Sequence, residues 1–337
     1  MKKNIYIALV ILFFSSLEMK GQDLHFSQFP HSALNLNPSN AGNFPADLRL
    51  NGMLRRQWNS VTVPYKTISI AGDLKLTMLN DRLKGLGAGL LINHDDAGDG
   101  QLRTLDIRLF TSFNKPINSD SIHFLRAGIM FGGSQRSIDF SKLTFDNQFN
   151  GDSWDPLAPT GENNAGDKVT WIEVGFGLGW EMIKENYTWD VGLSATHINR
   201  PNQSFYSEKV QRPVLWQIHT TPTFKLNSNL TLLPSAVFMM QQEYRALNFG
   251  AELKIDLMQE PRKNYSFGIG LNDRWDDAFI PFIAVYWNKF RVGFSYDVTT
   301  SSLKTVNNGR GGPEFSLVYL TKNIKARPQK HVICPVY

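Results

Sequence analysis

Residues 172–181 read Ile-Glu-Val-Gly-Phe-Gly-Leu-Gly-Trp-Glu, with an apolar side chain at every second position. A strand throws successive side chains to opposite faces, so this stretch is a ribbon with one greasy face and one of glycines and acids. The same alternation recurs along the chain. Leu247, Phe249, Ala251, Leu253 and Ile255 alternate with Asn248, Gly250, Glu252, Lys254 and Asp256. Val292, Phe294, Tyr296 and Val298 alternate with Arg291, Gly293, Ser295 and Asp297, and Trp189, Val191, Leu193 and Ala195 with Asp190, Gly192, Ser194 and Thr196. A soluble β-sandwich alternates too, but its strands usually span only ~5–6 residues, shorter than these segments. Charges and glycines share the polar face, which suits a lumen filled by water or side chains. Aromatics cluster at segment ends (Trp58, Tyr65, Trp171, Trp180, Trp189, Trp216, Tyr286, Trp287 and Tyr319), where the interfacial girdles of a membrane barrel fall. The alternation therefore predicts an all-β fold, a transmembrane antiparallel β-barrel.

Candidate strands are 47–58, 63–76, 85–93, 101–113, 121–133, 168–182, 187–198, 211–226, 229–240, 243–257, 264–272, 278–287, 290–299 and 312–321. That is about 14, an even number, as single-chain bacterial barrels require. Connections 134–167, 199–210 and 300–311 fall at one end, and the short ones, such as 183–186 and 227–228, at the other. Long loops outside and short periplasmic turns are the expected asymmetry.

Composition supports this class by exclusion. Of 337 residues only 19% are charged, against ~25% in typical soluble domains. Beyond the N-terminus no apolar run approaches the ~18 residues of a membrane helix. The single Cys334 closes no internal disulfide, and no Cys/His cluster has zinc spacing. The net charge of +5 loses +2 with the leader (Lys2, Lys3 and Lys20 against Glu18), which leaves +3 and gives no ground for a nucleic-acid partner. Lys2 and Lys3 followed by the apolar run Ile5 to Phe14 read as a cleavable signal peptide over 1–21, so the protein is expected to be exported.

Residues 22–46 neither alternate nor show helical period. Prolines, asparagines and Gly42 mark turns, and Phe26 and Phe29 need cover. This segment is expected to be a plug or lid, with Phe26, Phe29, Asn37, Pro38 and Gly42 as its key residues. The barrel is expected over 47–321 and a basic periplasmic tail over 322–337, either solvated or docking a partner. Catalysis finds no support: there is no G-x-S-x-G, and Ser194 and His197, three apart on one strand, are expected on opposite faces. The turn His94-Asp95-Asp96 with Asp99 lacks the acid spacing of an EF-hand, and no metal or cofactor is expected. Inward charges (Arg49, Arg55, Asp106, Arg108, Glu173, Asp190, Glu252, Lys254, Asp256, Arg291 and Asp297) have mixed signs, as a lumen network would. Outward Phe176 should resist a charge, whereas inward Gly177 should tolerate a serine.

The connection 134–167 is far longer than the ~4–6 residues of a usual loop. Ile138, Phe140, Leu143, Phe145, Phe149, Trp154 and Leu157 give it apolar anchors, so it is not simply disordered. It either folds inward over the lumen or presents a partner-binding surface, for which Phe145, Trp154, Asp155 and Pro156 are the candidates.

The stretches FSQFPHSALNLNPSNAG (26–42), Arg56-Gln57-Trp58, NHDDAGDG (93–100), GLSATHINRPNQSF (192–205) and RVGFSYDVTTSSL (291–303), then GGPEFSLVYL (311–320) and a final Cys334-Pro335, resemble the PorP/SprF family. The family pattern usually has alanine after the Asn-Pro pair, where this chain has Ser39. The resemblance implies an outer-membrane protein of type IX secretion and gliding in Bacteroidetes-type bacteria. It implies partners among periplasmic or outer-membrane secretion components and a secreted surface protein such as an adhesin, and it brings no catalytic residues. Long-chain fatty-acid channels of the FadL type are also similar, with about fourteen strands and an N-terminal Asn-Pro plug, here Asn37-Pro38. They imply the alternative of a passive transporter, which the charged inward positions disfavour.

Overall fold

The computed structural model describes residues 23–57, 63–117, 120–155, 157–161, 166–206, 208–260 and 263–322. The expected signal peptide 1–21, Trp58, Pro156 and the tail beyond Lys322 lie outside the described residues.

The alternating segments become strands β1 (Leu48–Gln57), β2 (Tyr65–Lys75), β3 (Leu86–Ala97), β4 (Leu102–Pro116), β5 (His123–Ser137), β6 (Lys168–Ile183) and β7 (Tyr187–Thr196). They continue as β8 (Leu215–Thr220), β9 (Thr223–Lys225), β10 (Leu230–Gln241), β11 (Tyr244–Glu260), β12 (Lys263–Arg274), β13 (Ala278–Trp287), β14 (Phe290–Thr299) and β15 (Arg310–Thr321). Each pairs antiparallel with its neighbours in the chain, except that β8 and β9 do not pair with each other. β1 also pairs with β15, from Leu48↔Thr321 to Arg55↔Glu314, so the sheet closes on itself and leaves no edge. β8 and β9 are two halves of one crossing, since both lie between β7 and β10. The wall therefore has fourteen crossings. The continuous strand expected over 211–226 is broken at Thr221-Pro222, where proline has no N–H to give the ladder.

The two faces of each strand separate as the alternation requires. On β14, Arg291, Ser295, Asp297 and Thr299 are buried inward, whereas Val292, Phe294 and Val298 are exposed on the outer surface. On β6, Glu173 is buried while Ile172 and Leu178 face out. Two aromatics assigned to the girdle belong inside. Trp171 is buried and donates Nε1 to Glu173 Oε1 at 2.8 Å, and Tyr286 donates its hydroxyl to Glu252 Oε1 at 2.6 Å. Trp171 shares strand parity with Glu173 and Tyr286 stands opposite Arg291 in register, and each has a polar handle that a charged lumen satisfies. Trp189, Trp216 and Trp287 do face outward.

Connections 98–101, 138–167, 197–214, 242–243, 275–277 and 300–309 lie at one end of the barrel with the β1–β2 connection. Those over 76–85, 117–122, 184–186, 226–229 and 288–289 lie at the other. The first is the long-loop end and the second the short-turn end. β5 continues to Ser137, so the longest connection starts at residue 138 rather than 134.

The lumen is occupied by residues 23–46. Four of their apolar side chains fall in two buried clusters. Phe29 and Leu36 pack with Leu215, Val237, Met239 and Ala246, and Leu34 and Ala41 with Ala71, Leu91, Phe110 and Met130. Inward glycines make the room. A Cβ on Gly128 would lie 2.5 Å from the Pro38 carbonyl carbon, and one on Gly177 would strike Asn37 Oδ1. The tolerance expected for Gly177→Ser is therefore reversed: the space that position faces is filled by the plug, not by water.

Candidate functional site: the plugged lumen and its long-loop mouth

The N-terminal segment runs the length of the lumen. At the short-turn end, Gly42 turns with φ +70° against Gly87, and its N–H donates to Asp73 Oδ2 at 2.8 Å. Arg49 clamps the same carboxylate through two bonds, at 2.9 and 2.8 Å, and reaches Asn40 O at 3.1 Å. Asn37 is fully buried: its Nδ2 donates to Leu178 O at 2.9 Å, and its Oδ1 accepts from Ser39 N at 2.8 Å. That second bond is an Asx turn, and it explains why an Asn-Pro pair sits there. Pro38 is buried beside it. Higher up, Asn35 donates to Ser69 Oγ at 3.0 Å and accepts from Asn93 Nδ2 at 2.8 Å.

Phe26 and Phe29 are buried in the long-loop half of the lumen, where the segment's backbone is tied to wall carboxylates. The N–H groups of Ser27 and Gln28 donate to Glu314 at 2.8 and 2.7 Å, and Ser27 Oγ donates to Asp297 at 2.6 Å. Arg55 and Arg274 each reach Asp297 at 2.8 Å, and Arg55 also donates to His25 O. Asp23 lies at the long-loop end. It meets Arg212, accepts from Gln241 at 3.1 Å and lies 2.7 Å from His197 Nε2. Glu173 joins the group through Arg212 at 2.5 Å, Arg108 at 2.9 Å and His197 Nδ1 at 3.2 Å. Burial by itself would raise the Asp23 pKa, but Arg212 and His197 hold the carboxyl well below the usual carboxylate range. Burial lowers the His197 pKa, yet Asp23 and the Glu173 bond outweigh it and raise it.

The five plug residues singled out from sequence thus all lie on this segment inside the barrel. Sequence reasoning missed its polar anchors. Glu314 had a usable signal, because it alternates with outward Phe315 and faces Arg55 in register. Asp23 and Arg212 had none, since they meet only through the fold. The expectation that Ser194 and His197 face opposite ways is also corrected. The strand stops at Thr196 and His197 adopts φ +59°, which turns its ring into the lumen. The two do not pair: Ser194 bonds Leu36 O at 2.8 Å and His197 serves Asp23.

Above the mouth, the loop 138–167 is anchored at its base and open at its tip. Ile138 N bonds Asp167 O at 3.0 Å, Asp139 N bonds Gly100 O at 2.8 Å, and Phe140 meets the Phe205 ring edge-on at 6.4 Å. Phe145 is half-buried, and Gln148 is buried and bonds Ala158 O at 3.1 Å. Between them, Phe149 and Trp154 form an antiparallel bridge with ring centroids 5.2 Å apart. Both are 47% exposed and Leu157 is 92% exposed. Asp155 accepts the Leu157 N–H at 2.9 Å. Of the four candidate partner residues, Trp154 and Asp155 lie at the open tip, Phe145 helps seat it, and Pro156 is outside the described residues.

A closed, charge-lined barrel with an apolar outer surface and a folded segment in its bore defines an outer-membrane β-barrel. Residues 18–319 match the profile of the type IX secretion system membrane protein PorP/SprF, and the chain belongs to that family. No curated protein matches it. Among solved structures it is similar to a FadL homologue of Pseudomonas aeruginosa, with 10% identity, 86% of this chain and 93% of the other covered, and a TM-score of 0.46. It is similar to the CymD monoaromatic hydrocarbon channel at 10% identity, with 91% and 97% covered and a TM-score of 0.47. The NanC porin follows at 8% identity, with 82% and 99% covered and a TM-score of 0.42. Likeness at that level bears on neither ligand nor mechanism.

Proposed function

We propose that this barrel works at the cell surface for type IX secretion, where it receives or anchors a secreted partner, such as an adhesin, at its long-loop mouth. The observation that carries the reading is the exposed Phe149–Trp154 pair beside Leu157, on a loop whose base is hydrogen-bonded to the rim. Paired aromatics that a fold leaves in water are the kind of anchor that dominates interface energy. Asp146, Asp152 and Asp155 stand within three residues of the pair and favour a partner with basic residues around an apolar socket. The polar ties along the plug favour a barrel that stays shut to solutes while holding its partner, and so argue against passive transport. Signal-peptide cleavage before the plug, with the long-loop end outside, belongs to the same proposal.

The test is a photo-crosslinking amino acid at Trp154, with a control at Thr188 in the wall. A crosslink to one secreted surface protein from position 154 alone is the expected result. No crosslink, or the same product from both positions, refutes the docking assignment.

A further inference from the structure

Pro222 and Pro234 stand opposite one another in the barrel wall. β8 and β9 share one register against β10, with Thr220 facing Ala236 and Phe224 facing Leu232, which sets Pro222 against Pro234. Thr221 N donates to the other side, to Asp190 O on β7 at 3.1 Å. Opposed residues of an antiparallel pair alternate between bonded and non-bonded, so the 222/234 pair is one that would exchange two bonds with β10. Neither residue has an N–H to give. Elsewhere in the described wall, Pro281 faces Leu271 and Pro313 faces Tyr296, so a donor remains on one side. The ladder is therefore open from Thr221 to Thr223, with no bulge or register shift to close it.

Behind this seam lies a cavity of about 100 Å³ lined by Pro222, Pro234, Leu233, Phe282, Pro30 and His31, among others. Pro222 and Pro234 share strand parity with the exposed Ile218 and Phe238, so both rings lie on the lipid side of the wall, Pro222 buried and Pro234 half-buried. Leu233 and Phe282 face inward, and Pro30 and His31 belong to the plug. The cavity thus lies between the Pro222 and Pro234 rings and the plug. Its lining is mostly apolar, with Gln28, Thr221, Ser235 and Asn272 also reaching it, and its floor is closed by Glu252, which lies 3.8 Å from His31 and 3.1 Å from Arg291.

We propose that this seam is a lateral binding site for the end of an alkyl chain, entering from the bilayer and resting on Pro30 and Phe282. A strand inserted at the seam would find no donors, whereas an alkyl chain needs none and matches the apolar lining. The volume is well below the ~300 Å³ of pockets that enclose a whole small molecule, so the chain tip enters and the headgroup stays outside. The ionic floor sets the depth.

The test uses the folded mature protein in vesicles with two photoreactive probes. One is a phosphatidylethanolamine with a diazirine near the end of one acyl chain; the other is a free fatty acid bearing the same group. Peptide mass spectrometry should find adducts on Pro30 or His31, which the wall otherwise shields from lipid, besides those on outward residues such as Trp216. Plug adducts with the first probe assign a bilayer lipid, and with the second alone a free amphiphile. Pro222→Val with Pro234→Val, which restores the ladder, should abolish the plug adducts and keep those on Trp216. Leu233→Trp, which fills the cavity from inside, should do the same if the double variant does not fold. Wild-type protein without plug adducts in either arm overturns the proposal, as do plug adducts unchanged in the closing variants.

Discussion

Gly177 on β6 leaves the space that Asn37 fills, so the absence of a side chain in the wall positions the one that pins the plug. The same strand gives opposite demands at adjacent positions. Gly177→Ser should overpack the Asn37 seat and cost about 1–3 kcal/mol. Phe176→Arg places a charge toward lipid, beside Trp216 at 6.1 Å, and should cost about 2–4 kcal/mol. Urea titration in vesicles reads both losses. Only Gly177→Ser should also loosen the plug and raise single-channel conductance. Equal conductance in the two variants would mean that Gly177 does not seat the plug.

The mouth clamp should have a pH window. The Asp23 pKa is lowered on folding, so its contribution is present above the ordinary carboxylate value of ~4 and is lost as pH falls through the depressed value. The His197 pKa is raised, so its contribution is full below ~6.5 and is lost as pH rises through the raised value. Protection of the plug from protease should therefore be greatest between about pH 4 and 6.5. Arg212→Gln should lower it at every pH, and an unchanged digestion profile in that variant would remove Arg212 from the clamp.

Deleting residues 23–42 should leave a folded, heat-modifiable barrel with higher conductance. The wall closes through its own β1–β15 ladder, and the freed charges of Asp297 and Glu314 would rehydrate in an open lumen. Planar-bilayer recording decides this, and an unchanged conductance would show that the segment does not occlude the bore.

In a Cys334→Ser background, cysteines at Gly151 and Thr305 should react with an impermeant maleimide on intact cells, and one at Glu185 should not. All three positions are exposed in the fold. Labelling at Glu185 alone would invert the barrel.

Most of the wall was legible because period two is a local property: Ile172 to Trp180 declares its two faces without knowledge of any neighbour. The broken crossing was less so, since Pro222 marks a weak point but only its register partner Pro234 turns that into a seam. The plug's apolar residues were visible through their need for cover. Its polar anchors were not, because Asp23 and Arg212 lie 189 positions apart and meet only when the barrel closes. His197 was misplaced because alternation was carried one residue past the end of its strand. Trp171 and Tyr286 were misplaced because proximity to a strand end was weighed above parity.

The claim that the long loop holds a secreted partner is tested most directly by replacing residues 140–160 with a short Gly/Ser linker. The partner is then measured on cells and in the medium. With barrel abundance unchanged, the partner should leave the cell surface and accumulate in the medium. A partner that stays cell-attached at the wild-type level would contradict the account.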